Sequence, residues 1–230
     1  MKYEELLPQQ IEGILEQTPV VFVPWGALEW HGPHLAIGND GIKAAAICDR
    51  VAAKTGGAVL PPVYFGHHTM MRTGFRHSLE NKEATIRAMA YDLLGGLESQ
   101  GFTVAVILAG HYSSRHVATL KEVAEKFSAG KAMRVWALAE YEVVTDMGYT
   151  GDHAAKWETS ILMYLRPDLV DMTRLRADPK EELEGVFGDD PTEHASPEVG
   201  REIVDAIVAR MSERVTALLH EEGEEEAREA

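Results

Sequence analysis

The run Val20-Val21-Phe22-Val23 is continuously apolar and turns polar at Pro24 and Gly26. Such a run fits a strand buried on both faces, as found in parallel sheets covered by helices. The residues able to do chemistry follow it directly: Glu29-Trp30-His31, then Gly32-Pro33, then Asn39-Asp40. If Glu29-Trp30-His31 is extended, the period of two places the Glu29 and His31 side chains on one face, and the Gly-Pro turn brings Asp40 back toward them. Two carboxylates and an imidazole form a mixed oxygen and nitrogen donor set that suits zinc or manganese. Charged residues beside a turn are ordinarily just solvated. Here Pro24, Pro33, Gly26, Gly32, Trp25 and Trp30 surround them, which points to a shaped cavity.

The rest of the chain repeats this alternation. Apolar runs over 58–63, 102–108 and 133–138 predict further strands, the first broken by Pro61-Pro62. Helical spacing is seen over 3–16, 39–54, 81–99, 114–127, 155–165 and 197–220, with Asn39-Asp40 expected to cap the second helix and Ser113 or Ser114 the fourth. The acidic, Pro- and Gly-bearing stretch from Asp178 to Pro197 is expected to be loop. Strands alternating with helices imply parallel strands, right-handed crossovers and helices on both sheet faces. Ligands in such sheets bind outside the carboxyl ends of the strands. That rule selects residues 29–40 after the first strand, the loop 67–77 after the second and His111 after the third.

With 230 residues, 45% of them hydrophobic, the chain can fill one sizeable core, expected over 1–220. An acidic tail follows at 221–230. The net charge of −15 and the lack of basic clusters argue against nucleic acid as partner. No apolar run approaches a membrane span or a signal-peptide core, so a cytoplasmic protein without membrane partners is expected. Cys48 is the one cysteine, which excludes an intrachain disulfide.

His111 follows Gly110 at the end of the most apolar strand candidate, a position that exposes a side chain at the sheet rim. With Glu29, His31 and Asp40 it suffices for two metal ions if Asp40 bridges, Glu29 and His111 holding one and His31 the other. Ser113 and Ser114 lack a Gly-x-Ser-x-Gly elbow, and no phosphate or dinucleotide loop is present. His153, beside Asp152 in a loop containing Gly148 and Gly151, is either a surface residue or a general acid and base. Glu158 is a solvated helix residue, an additional ligand or a support behind one. Tyr112, His77 and Trp157 are candidate substrate contacts, with packing as the competing role for Trp157. Of His67, His68 and His77, at least one is expected to face the site.

These residues resemble the creatininase (creatinine amidohydrolase) family. The likeness runs through 24–35, Asn39-Asp40, Gly110-His111, His153-Ala154-Ala155, Glu158-Thr159-Ser160, residues 166–171 and Gly188-Asp189-Asp190-Pro191. It implies a three-layer α/β/α fold with a mainly parallel central sheet, and two divalent ions (zinc or manganese, with iron also admissible) on Glu29, His31, Asp40 and His111. It also implies a metal-bound water as nucleophile, a catalytic histidine at His153, a small-molecule substrate and a homo-oligomer, often a hexamer. The expected reaction is opening of a small cyclic amide or related carbonyl compound. Hydrolysis of a cyclic inositol-derived ketone and a catalytically inactive binding protein of the same fold are the alternatives. Three departures stand out: Ser113 where creatininase has an acidic ligand, Phe75-Arg76-His77-Ser78 in the substrate loop, and Ala155-Lys156 after His153-Ala154.

Overall fold

The computed structural model describes residues 1–176 and 182–229, with residues 222–229 described by their backbone alone. Its strands are β1 (Val20–Trp25), β2 (Ala58–Val59), β3 (Val104–Ala109) and β4 (Arg134–Ala139). They form one parallel sheet in the order β2-β1-β3-β4. Every residue of β1 and β3 is buried, which is why neither shows a polar alternation in sequence. Val20, Phe22, Val104, Val106 and Leu108 face one layer of helices, while Val21, Val23, Ala105 and Ile107 face the other.

The second of these layers is α1 (Pro8–Gln17), α3 (Glu83–Ser99) and α4 (Ser114–Ser128). The first is α2 (Asn39–Thr55), α5 (Lys156–Leu165) and α7 (Pro197–Glu229), with the short α6 (Pro191–His194) beside α5. This is the expected three-layer α/β/α fold. Helix α1 begins only at Pro8, whose fixed φ suits a first helical position, and not at residue 3. β2 stops at Val59 because Pro61 and Pro62 cannot donate to the ladder; pairing resumes as an isolated bridge between Val63 and Trp25. Helix α7 runs past His220 to Glu229, so the backbone of the acidic stretch that begins at residue 221 continues the helix. Of the loop expected over 178–197, residues 178–181 lie outside the described residues. Among the described residues, no helix is long and apolar enough to cross a membrane.

The strand order sets the place of the site. From β1 the chain crosses to β2 on one side and then to β3 on the other, so the crevice between the carboxyl ends of β1 and β3 is the switch point where ligands bind. Helix α2 enters that crevice. Gly38 occupies its N-cap position without a side-chain cap, and Asn39 and Asp40 lie inside the first turn, leaving the Asp40 carboxylate uncommitted to capping.

Candidate metal centre and catalytic pocket

Two glycines let α2 reach this depth. A Cβ at Gly110 would lie 2.1 Å from the Asp40 carbonyl oxygen, and one at Gly26 would lie 2.3 Å from the Gly41 nitrogen. Only bare backbone at both strand ends lets the first turn of α2 press against them. Gly110→Ala is therefore expected to cost about 1–3 kcal/mol and displace Asp40. Gly95→Ala, in α3 with nothing within 4 Å of the added carbon, is the control. Thermal melts with parallel metal titrations check the pair: the first variant should lose both stability and metal uptake, the second neither.

Around Asp40 the chain gathers two sets of donors whose ligand atoms lie within 4.8 Å of one another: Glu29, Asp40 and His111, and His31, Asp40 and Glu158. Asp40 belongs to both. His111 Nδ1 is 2.8 Å from Glu29 Oε1 and 3.5 Å from Asp40 Oδ2. His31 Nε2 is 2.8 Å from Asp40 Oδ1 and 3.4 Å from Glu158 Oε2. All five side chains are buried.

Each imidazole is aimed by its other nitrogen. His31 Nδ1 donates to the Glu29 carbonyl at 3.0 Å, and His111 Nε2 donates to the His67 carbonyl at 3.0 Å. A ring held by a carbonyl on one nitrogen and surrounded by carboxylates on the other is the usual setting of a metal ligand. Asp40 Oδ2 and His31 Nε2 are fully buried and make no hydrogen bond of ordinary geometry, which leaves them free to coordinate. The donor set thus fits two divalent ions.

The charges reinforce this reading. Burial pulls the pKa of His31 down, but Asp40 and then Glu158 override it and hold it well above the ordinary value. His111 is likewise held at about 10, Glu29 chiefly overcoming burial. Without metal these carboxylates favour the protonated form of both rings; a divalent ion would compete for the same positions and release those protons.

A cavity of about 390 Å³ opens onto Glu29 and His111 and is also lined by Tyr112, Ser113, His68, Tyr141, Asp152, His153 and Phe187. His153 is held there by an antiparallel bridge to Phe187. Its Nε2 donates to the Trp30 carbonyl at 2.7 Å, so the lone pair sits on Nδ1, 3.9 Å from Glu29 Oε1. Burial first, then His31, lowers its pKa, and the ring is neutral near pH 7. Asp152 does not hold His153: its carboxylate accepts from the Trp157 and Glu158 amides at 2.7 and 3.2 Å and so anchors the start of α5.

The candidate substrate contacts divide. The Tyr112 ring lines the cavity, but its hydroxyl turns inward to Lys43, Glu140 and Tyr149. Trp157 lies away from the cavity, stacked on Tyr149 at 5.1 Å, and packs. His77 is exposed, in a left-handed backbone conformation, and does not line the cavity. His68 is the member of its loop that does; His67 is buried against Thr119. That loop is shaped by Glu80, which accepts from the His68 and Thr69 amides and from Arg72. The result brings the Met70 amide within 2.7 Å of Glu29 Oε2.

Sequence reasoning passed over Lys43 and Glu140. Lys43 Nζ, fully buried, lies 2.8 Å from Glu158 Oε1 and from the Gly110 carbonyl, and 3.2 Å from Glu140 Oε1. Two signals pointed to them. Lys43 falls on the same helical stripe as Asp40, Ala44, Ile47 and Val51, where a charge is out of place unless paired. Glu140 stands directly after β4, as Glu29 and His111 stand beyond β1 and β3.

The sequence model of the creatininase family (creatinine amidohydrolase) matches residues 4–215. The chain belongs to the creatininase family. It is 27% identical over 202 residues to a creatinine amidohydrolase of Pseudomonas putida, covering 77% of each chain. It is also 27% identical over 109 residues to a 3-dehydro-scyllo-inosose hydrolase of Thermotoga maritima, covering 47% of this chain and 35% of that relative. A crystal structure of creatininase superposes with a TM-score of 0.80 at 24% identity, covering 93% of this chain and 95% of the other, and a manganese form of creatininase superposes at 0.78. This creatininase-family chain is accordingly an enzyme of the hydrolase class.

Proposed function

We propose that the protein is a hydrolase with two divalent metal ions, zinc or manganese, that opens a small cyclic amide or a related carbonyl compound. The observation that carries this reading is Asp40 shared between the two donor sets, with His31 and His111 each aimed into one of them. Glu158 supplies the carboxylate that Ser113 cannot. Bound there, the ions would acidify a coordinated water and polarise the substrate carbonyl.

The chain's own residues do the rest. The Met70 amide fixes one oxygen of Glu29 and leaves Oε1 toward His111. His153 lines the cavity with Nε2 committed to the Trp30 carbonyl, which supports a role for Nδ1 in taking a proton from the nucleophile and returning it to the leaving group. Tyr141 and Phe187 give the cavity an aromatic wall. Ser113 and Thr150, hydroxyl residues on the wall, favour a second substrate, a polyhydroxylated cyclic ketone such as the inosose named for the Thermotoga relative.

Elemental analysis of purified protein should find close to two zinc or manganese ions per chain, and metal-loaded protein should turn over members of a panel of lactams and cyclic polyhydroxy ketones. A correctly folded chain that takes up no divalent metal overturns the proposal.

A further inference from the structure

The two halves of the centre differ in what stands behind them. Behind Glu29 is a neutral backbone amide, that of Met70, on Oε2. Behind Glu158 is a full positive charge: Oε1 meets the buried Lys43 ammonium at 2.8 Å, while Oε2, on the side of His31, accepts the Ala154 amide at 2.7 Å. A carboxylate shared with an ammonium donates less charge to a cation on its other oxygen, and the ammonium repels that cation through a medium of low dielectric. Glu140 offsets this only in part, because its Oε1 is 3.2 Å from Lys43 and also holds the Tyr112 and Tyr149 hydroxyls.

Resting on the proposed binuclear reading, we infer that Lys43 is a positioning residue that makes the ion position on His31, Asp40 and Glu158 the weaker of the two. Lys43 holds the Glu158 carboxylate in place through Oε1 before metal arrives and opposes the cation afterwards. The ion on Glu29, Asp40 and His111 binds first, and the other exchanges.

The test titrates metal-free protein with Zn²⁺ against a competing chelator. Wild type is expected to take up two ions with separated affinities, and Glu158→Gln to lose the weaker event alone. The paired variant Lys43→Met/Glu140→Gln removes one charge of each sign, keeps the Ala154 amide on Oε2 and frees Oε1. Its weaker ion is expected to bind about tenfold tighter or more, with the tighter ion unchanged. Structural damage does not produce tighter binding, so the direction of the change is diagnostic. An unchanged or weakened second event overturns the inference while leaving two bound ions intact; fewer than two ions in wild type overturns the binuclear reading as well. If the paired variant does not fold, Lys43→Met alone is titrated in the same way, and a weaker event no tighter than in wild type overturns the inference.

Discussion

Asp40→Ala is expected to abolish uptake of both ions and to lower turnover at least about 10⁴-fold, because the nucleophile's activation and the proton traffic that depends on it disappear together. The size follows from sharing. Glu158→Gln touches one donor set and His111→Ala the other, but Asp40 alone sits in both. The fold has other anchors in the metal-free state: His111 keeps Glu29 at 2.8 Å and His31 keeps Glu158 at 3.4 Å. Removing one partner of a buried ion pair still costs about 3–5 kcal/mol, so the variant should melt lower than wild type while retaining its circular dichroism spectrum. Metal content by mass spectrometry, read beside that spectrum, checks both halves. A folded Asp40→Ala chain holding two ions contradicts the bridging role.

Most of the fold is legible in sequence because burial on both faces leaves the uninterrupted runs of β1 and β3, and the strand-end rule then finds Glu29 and His111 without any motif. Asp40 is legible for a different reason: a Gly-Pro turn followed by a helix start must return the chain to where it left the sheet. What stays hidden depends on side-chain direction. Tyr112 adjoins His111 in sequence, yet only the structure shows its hydroxyl pointing away from the cavity toward Glu140. Asp152 adjoins His153, yet it serves the start of α5. His67, His68 and His77 share one loop, and the left-handed φ at His68 and at His77 re-aims each ring in a way residue order does not encode. Glu158 lies in an ordinary helical pattern, and its place beside His31 rests on contacts with Lys43, more than a hundred residues earlier, and with the Ala154 amide that residue order does not show.

His153→Ala separates metal binding from proton transfer. His153 shares a third donor grouping with Glu29 and His31 but is absent from the two built on Asp40, so under the binuclear proposal the variant is expected to keep both ions and its fold. What it loses is the cavity imidazole outside the two donor sets on Asp40, its tautomer set by the Trp30 carbonyl and its free nitrogen 3.9 Å from Glu29 Oε1. Loss of a positioned general acid and base lowers turnover roughly 10²- to 10⁴-fold. A glutamine there offers an amide of similar reach that cannot exchange protons, so His153→Gln should be as slow as the alanine variant, with KM close to wild type. If either variant turned over at the wild-type rate on a substrate found in the panel, the proton would have to travel through another group. His68 is the next imidazole on the cavity wall, and the double variant His68→Ala/His153→Ala identifies it as the carrier if activity then falls.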